Sequence, residues 1–209
     1  MRNSIVMSVG LMLSLGAGVV RAENVVDPAV TAHAERLAVG VCGTCHGVRG
    51  VSQQPKYPRL SAQNAGYLAT QLRAFKSQQR GDPDAIGYMW GMSAALEDST
   101  IDALGAYYAA QPAGSPLSTG DAALVGRGRE IYEKGIESGG VPACSACHGP
   151  DAHGIADFPR LAGQHAQYVL KQLSSFQNNM RNVAVMHGVA QGLKVDEMGA
   201  VAAFLETLP

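Results

Sequence analysis

The sequence has little charge and few cysteines. Of its 209 residues 16% are charged, against a usual share of about 25%, and 16 Lys and Arg nearly balance 17 Asp and Glu. The formal net charge of −1 excludes the basic surface on which nucleic-acid binding depends. Four cysteines are too few for a disulfide-dense scaffold. The hydrophobic share of 46% excludes a disordered chain, and the length suits one domain or two small ones.

The N terminus has a long run that is both uncharged and mostly apolar. Residues 1–3 give a short positive start, residues 4–20 are uncharged and mostly apolar, and Val20 and Ala22 stand where a signal peptidase reads small residues. This order is typical of a secretory signal peptide, with cleavage predicted after Ala22. A retained membrane anchor is the alternative, although 17 residues are at the lower limit for a span. Export would place the cysteines in an oxidising compartment.

An internal duplication organises the rest of the chain. The hexapeptide CGTCHG at residues 42–47 recurs as CSACHG at 144–149, and the Met-Trp-Gly at 89–91 recurs as Met-His-Gly at 186–188. Further identities keep the same order in both copies: Pro58 and Pro159, Arg59 and Arg160, Leu60 and Leu161, Gln63 and Gln164, Ala65 and Ala166, Tyr67 and Tyr168, Gln71 and Gln172, Leu72 and Leu173, Phe75 and Phe176.

A segment rich in Pro, Gly and Ser separates the two copies. We therefore predict a signal peptide at residues 1–22, a first domain at 23–111, a linker at 112–119 and a second domain at 120–209. Domains of this size bury only a modest core, which a large apolar cofactor in each would help to fill.

The apolar periodicity within each copy is helical. Matching faces are formed by Tyr67, Leu68, Leu72 and Phe75 and by Tyr168, Val169, Leu173 and Phe176. Helices are also predicted from Asp98 to about Ala110 and from Val195 to Leu208, and two more, at residues 37–41 and 128–132, lead into the Cys motifs. Because no alternating strand pattern stands out, the predicted fold class is all-α, with two tandem domains.

Each Cys motif carries two thiols and an imidazole at positions i, i+3 and i+4. These residues are Cys42, Cys45 and His46 in the first copy and Cys144, Cys147 and His148 in the second. On one helical turn such side chains project to the same side. Two thiols at this spacing form thioethers with the two vinyl groups of a haem, and the imidazole then binds the iron as its proximal ligand. The sequence therefore predicts two covalently bound haem c groups.

Three other uses of the cysteines explain the motifs less well. A redox-active dithiol favours a strand–helix context and needs no adjacent His. A zinc site made from one motif lacks a fourth ligand at the usual spacing. Two structural disulfides satisfy the thiols but leave both His unexplained.

The sixth iron ligand in each copy is predicted to be a Met. The five Met beyond residue 22 are Met89, Met92, Met180, Met186 and Met198. A Met usually fills a core, but Met89 and Met186 hold matching Met-x-Gly positions, in what the sequence predicts to be a loop before the last helix of each copy. The duplication therefore favours these two as ligands, over Met92 and Met180.

The remaining His have no matching His in the other copy. These are His33, His153, His165 and His187, for which surface or packing roles are predicted. Ligation by His and Met fills both axial positions of the iron and tends to raise its reduction potential. We therefore expect electron transfer rather than chemistry at the metal, with no catalytic residue and no small-molecule substrate.

Two further repeated positions are candidates for contacts with the haem site. A proximal His needs an acceptor for its other ring nitrogen, often a backbone carbonyl, and Pro58 and Pro159 are the predicted acceptors. Arg59 and Arg160 either pair with haem propionates or face solvent.

These motifs, in this order and duplicated, resemble the cytochrome c4 family of dihaem periplasmic cytochromes. The similarity covers residues 30–209 and is strongest at VCGTCHG, PACSACHG and FPRLAGQHAQY and at the paired Met-x-Gly segments. It implies two packed class I cytochrome c domains with near-twofold symmetry, axial ligands at Met89 and Met186, and haem edges that face each other. It also implies a periplasmic location and electron transfer from a quinol-oxidising complex to a terminal oxidase or reductase, with peripheral membrane association left open.

Two other functions remain as alternatives to a free electron shuttle. The first is the electron-accepting subunit of a dehydrogenase, such as a flavocytochrome that oxidises sulfide, which also has two such Cys motifs in a chain of similar size. The second is a dihaem peroxidase, which needs an iron with an open or exchangeable position and usually a longer chain.

Overall fold

The computed structural model of the protein describes residues 27–117 and 121–209, and the regular structure within these ranges is helical. The predicted signal peptide lies outside them. Extended pairing in the described residues is limited to two isolated bridges, Arg80 with Arg181 and Ile136 with Val141. Among these helices, none has both the length and the apolar character of a membrane span. The predicted all-α class is confirmed.

The first half of the chain contains five α-helices and two π-helical turns. In chain order they are α1 (Pro28–Leu37), a π-helical turn (Ala38–Cys42), α2 (Gly43–His46), α3 (Ala65–Lys76), a second π-helical turn (Ala85–Met89), α4 (Trp90–Ser93) and α5 (Asp98–Ala109). Asp27 begins α1 by accepting a hydrogen bond from the amide of Ala29 at 2.8 Å. Asn64 caps α3 in the same way, through the amide of Tyr67 at 2.9 Å.

The second half repeats this order with changes before its Cys motif and around its Met-x-Gly segment. Its elements are α6 (Ala122–Lys134), a 3₁₀ turn (Glu137–Gly139), α7 (Ser145–His148), α8 (Ala166–Gln177), α9 (Ala184–Gln191) and α10 (Val195–Glu206). The helices predicted from periodicity correspond to α3, α5, α8 and α10, each within a few residues of the predicted bounds.

One prediction about the approach to the Cys motifs is right for the first half and wrong for the second. In the first half α1 runs without a break through its π-helical turn into α2. In the second half the helix predicted at residues 128–132 forms but does not lead into the motif. The reason is that α6 ends at Lys134, with Gly135 as its cap, and a connection with only the 3₁₀ turn Glu137–Gly139 intervenes. Gly135 has φ of 74°, a conformation that favours glycine, and it turns the chain away from the helix axis.

Each half packs its first helix against its last. In the first half, Ala34 of α1 and Ala38 of the π-helical turn that follows it lie in one buried cluster with Leu104 and Tyr108 of α5. In the second half, Ile131 and Tyr132 of α6 lie with Phe204 and Leu205 of α10. Each half therefore has a small core of its own beside the Cys motif.

A pair of matched Gln side chains joins the two halves. Gln63 accepts a hydrogen bond from the backbone amide of Arg160 at 2.8 Å and donates one to its carbonyl at 2.9 Å. Gln164 makes the same two contacts with the backbone of Arg59, both at 2.9 Å. Because each half supplies the same donor and acceptor groups to the other, the contact is close to twofold symmetric.

Candidate haem sites

The two His of the Cys motifs are held in one orientation by a backbone carbonyl. The short helices α2 and α7 place His46 and His148 in buried positions. Nδ1 of His46 lies 2.8 Å from the carbonyl oxygen of Pro58, and Nδ1 of His148 lies 3.0 Å from that of Pro159. Since a carbonyl only accepts, Nδ1 carries the proton and Nε2 keeps its lone pair. This arrangement orients an imidazole for metal ligation through Nε2.

The protonation state of both rings suits a ligand. Burial lowers the pKa of His46 and of His148, although the hydrogen bonds to the Pro carbonyls partly oppose this effect. Neutral imidazole is the form that binds a metal. Each ring also packs edge-on against an aromatic neighbour, Tyr57 at 6.2 Å and Phe158 at 5.9 Å between ring centroids.

The four thiols are free and partly buried. Burial raises the pKa of the Cys144 thiol to about 11 and also raises the pKa of Cys42. A thiol that acts in disulfide exchange has a lowered pKa instead, so these environments do not favour the redox-dithiol alternative. In the described ranges no group of three or more His, Cys, Asp or Glu is arranged to hold a metal ion, and the zinc alternative has no support there.

A single cavity of about 530 Å³ contains both sets of predicted ligands. Its lining includes His46, Met89, His148 and Met186. The rest of its wall is largely apolar, with Leu68, Leu72, Phe75 and Leu104 from the first half and Val169, Leu173, Phe176 and Leu205 from the second. Apolar walls, with two thiols and an imidazole at each end, fit the chemistry of a covalently attached haem.

The predicted Met ligands lie on helical turns, not in loops. Met89 ends the π-helical turn Ala85–Met89, and Met186 lies in the first turns of α9. Met186 lines the cavity and its rival Met180 does not, whereas Met89 and Met92 both line it. The side chain of Met198 belongs to the buried core of the second half. The choice of Met186 thus agrees with the cavity, and both ligand assignments remain predictions.

Arg59 lines the cavity, so its pairing with a haem propionate stays a prediction, and only its solvent-facing alternative is wrong. It is buried, and its guanidinium donates to the carbonyls of Ser115 at 2.8 Å and Gly163 at 3.1 Å. It therefore does not face solvent. Arg160 is half-buried and donates to the carbonyl of Pro209. The Arg59 side chain thus helps to fix the contact between the two halves, and the Arg160 side chain holds the last residue of the second half.

None of the four unmatched His lines the cavity. His33 and His153 are exposed, as predicted for surface positions. His187 lies against the backbone, with Nδ1 2.7 Å from the carbonyl of Phe176. His165 is 1% exposed, and its Nε2 lies 3.0 Å from the carbonyl of Ser52 in the other half. It has a packing role in the interface.

Two Arg that the sequence analysis missed lie between the two sites. Arg80 and Arg181 are buried, line the cavity and are paired by an isolated bridge. They hold matching positions, five residues after Phe75 and Phe176, and each guanidinium stacks on that ring with 4.6 Å to its centroid. This repeated spacing is a signal from which the pair could have been found.

The two Arg share their hydrogen-bond partners across the halves. The partners are Gln71, Gln172, Tyr67 and Tyr168, with distances of 2.7–3.3 Å. Burial works against the charge of Arg80, yet Tyr168 and Asp82 raise its pKa, and its Nε lies 2.7 Å from the Asp82 carboxylate. Nε of Arg181 is buried and has no partner in the described residues. The cluster therefore has two cations but one carboxylate.

Comparison with known proteins gives consistent matches. The cytochrome c family profile matches residues 125–209. Cytochrome c4 of Stutzerimonas stutzeri is 35% identical over 96% of this chain and 97% of its own length. The solved structure of Acidithiobacillus ferrooxidans cytochrome c4 has a TM-score of 0.75 and 38% identity over 80% of this chain and 98% of that one. The thiosulfate dehydrogenase electron acceptor of Stutzerimonas stutzeri strain A1501 is 36% identical over 80% of this chain and 78% of its own length.

Proposed function

This chain belongs to the cytochrome c4 family, and we propose that it shuttles electrons in the periplasm from a quinol-oxidising complex to a terminal oxidase or reductase. It is a dihaem electron-transfer cytochrome with covalently bound haem c, not an enzyme. The periplasmic location, the removal of residues 1–22 and the choice of donor and acceptor are the proposed part.

The observation that carries the proposal is the pair of matched donor sets on one cavity. We assign the thioether links to Cys42, Cys45, Cys144 and Cys147, and the iron ligands to His46, Met89, His148 and Met186. Haem bound in this way supplies one-electron transfer and, with both axial positions filled, no site for a substrate.

The protein's own residues orient the ligands and exclude water. The carbonyls of Pro58 and Pro159 fix the ring orientation of the two His. Apolar side chains from α3, α5, α8 and α10 contribute to the cavity wall. Axial ligand, burial and hydrogen bonding around the site are the means by which a protein sets a haem potential.

A second candidate function is that of an electron acceptor dedicated to a dehydrogenase. Relatives named thiosulfate dehydrogenase electron acceptor are 34% and 36% identical to this chain over 80% of its length. This similarity favours a sulfur-compound dehydrogenase as the donor over the flavocytochrome of sulfide oxidation. Reduction by purified thiosulfate dehydrogenase, compared with reduction by a quinol-oxidising complex, discriminates between the two donors. Faster reduction by the dehydrogenase, or its co-purification, would favour the second candidate.

The ligand assignment is tested by spectroscopy and redox titration of single variants. Met89→Leu and Met186→Leu are each expected to lower the potential of one haem while both haems stay covalently attached, because a Met ligand raises the potential. Met198→Leu, a buried Met away from the cavity, is the matched control and should leave both potentials unchanged. Unchanged potentials and spectra in both ligand variants would show the assignment to be wrong. A haem-to-protein ratio other than two would contradict the attachment sites.

A further inference from the structure

The rims of the two haem sites differ in charge at matching positions. Lys56 directly precedes Tyr57-Pro58-Arg59, and Asp157 directly precedes the matching Phe158-Pro159-Arg160. Both side chains are exposed. The two halves are otherwise closely alike here, since the following Pro carbonyl holds the proximal His in each. The chain thus carries a cation at one rim and an anion at the same place on the other.

Lys56 is held in a defined position by two Tyr side chains. Its Nζ donates to the hydroxyl of Tyr88 at 2.7 Å and lies 4.5 Å from the centroid of the Tyr88 ring and 5.5 Å from that of Tyr57. The two rings meet edge-on at 6.4 Å. We call Lys56, Tyr57 and Tyr88 the Lys56 platform. An ammonium has three donors, so the group remains able to bind an acceptor from outside.

The Lys56 platform connects the surface with the proposed iron ligand. Tyr88 is 46% exposed and precedes Met89, while Tyr57 packs edge-on against His46. All three residues of the platform line the cavity. In the second half, Val185 stands at the position of Tyr88 and Phe158 at that of Tyr57, so these two positions are apolar there and lack a hydroxyl.

The local charge balance around the Lys56 platform is positive. Asp84, a neighbouring carboxylate that lines the same cavity, is paired with Lys171 at 2.7 Å. The charge of Lys56 therefore remains available to a carboxylate of a partner protein. In the described ranges Asp157 belongs to no ion pair, so the second rim keeps its negative charge.

We propose that the Lys56 platform is a docking surface for the acidic face of a redox partner protein, and that the second rim does not bind the same partner. This inference rests on the proposed function. Carboxylates of the partner meet Lys56 Nζ, and the exposed Tyr88 ring gives an amphipathic contact at the centre, as is common in protein interfaces. Because Lys56 is already positioned by Tyr88, little side-chain freedom is lost on binding.

The test uses the reduced holoprotein and an oligoglutamate peptide. Binding is followed by amide chemical shifts at about 10 mM salt, where the Debye length is about 30 Å. We expect shifts grouped at residues 56, 57 and 88 and little change at 157, 158 and 185. Lys56→Gln should weaken binding about two- to fivefold, the range of an exposed ion pair, and Lys56→Glu should weaken it further.

Two matched variants sharpen this experiment. Tyr88→Phe keeps the ring but frees Lys56, and a smaller loss of affinity than in Lys56→Gln is expected. Asp157→Lys should add peptide-induced shifts at the second rim. Each variant is also titrated electrochemically, so that a loss of reversible haem reduction, which would count against the proposed function, is distinguished from a loss of docking.

Three results would overturn the proposal. They are the absence of peptide binding at low salt, shifts centred on the second rim, and equal affinity of Lys56→Gln and the unchanged protein. Binding of anionic phospholipid vesicles through Lys56, without binding of the peptide, would assign the Lys56 platform to a membrane surface instead.

Discussion

The two halves of the chain share their ligand and interface residues but differ in how the first helix reaches the Cys motif. In the first half α1 leads directly into it, and the buried positions facing α5 are the small residues Ala34 and Ala38. In the second half α6 packs closely on α10 through Gly128, and Tyr132 fills the space beyond it. Across the longer connection that follows, the Tyr132 hydroxyl ties α6 to the end of α7 by donating to the carbonyl of Gly149.

The difference shows which parts of a duplicated domain are constrained by the haem site. The carbonyl–His contacts and the Gln contacts between the halves have almost the same geometry in both copies. The segment before the Cys motif can differ between the halves because it only has to place a short helix at the cavity wall. Different packing residues place that helix in each half.

The largest expected effect is on the close packing of α6 and α10. A Cβ at Gly128 would lie 1.9 Å from the carbonyl oxygen of Ala200, and backbone cannot easily move away. Gly128→Ala is therefore expected to destabilise the second half by about 3 kcal/mol, at the upper end for overpacking. Gly126→Ala in the same helix meets no atom within 4 Å and should be neutral or stabilising by up to about 1 kcal/mol. Denaturant unfolding of both variants measures this, and equal stabilities would contradict the packing.

The twofold symmetry of the Gln contact between the halves can be tested by a substitution in either half. Gln63→Ala and Gln164→Ala each leave a buried amide and carbonyl without their partner, which we expect to cost about 1–3 kcal/mol. The two losses should be equal within error, because the contacts match. Unfolding free energies of the two single variants test this equality. Gln53→Ala, an exposed position, is the control with little expected change, and a loss in only one of the two variants would contradict the symmetric contact.

The tie between α6 and the end of α7 is tested by one hydroxyl. Tyr132→Phe removes the hydrogen bond to Gly149 and should lower the unfolding free energy by about 1 kcal/mol. Tyr107→Phe removes a hydroxyl that donates to Val48 at an exposed site, and we expect a smaller change. The opposite order of effects in thermal or denaturant unfolding would show that the tie between α6 and the end of α7 contributes little to stability.

The smallest expected effect is a pH dependence confined to one copy. Burial lowers the pKa of His165, while Ser52 and Glu206 partly oppose the shift. The unfolded chain therefore takes up a proton first, and stability is present above the ordinary His pKa of about 6.5 and falls as the pH drops below it. Asn stands at the matching position 64, so His165→Asn should flatten this part of the stability profile. His33→Asn, at an exposed site, should leave the stability profile unchanged. Identical slopes of unfolding free energy against pH for the two variants would exclude a contribution from His165.

The helices and the haem motifs were predictable because their signals are local. Periodic apolar residues identify α3, α5, α8 and α10, and the CxxCH spacing needs a single turn. The partners of Arg59 and His165 were not predictable, since they lie far away in sequence, as with Arg59 and Gly163. Arg80 and Arg181 are marked by their repeated spacing after Phe75 and Phe176, but their partners in the opposite half are not. The Met-x-Gly segments were predicted to be loops because their helical turns are short. The end of α6 was not predicted because it depends on the backbone conformation of Gly135.

The reciprocal Gln contact also has a consequence for the origin of this architecture. A surface patch is isologous when its donors and acceptors pair with those of an identical patch rotated by 180°. Two identical subunits form a closed dimer through a surface of this type. Here both members of that pair lie on one polypeptide, so fusion has replaced association and the arrangement no longer depends on protein concentration. With Gln63 and Gln164 already engaged, neither is available to add a third domain through the same contact.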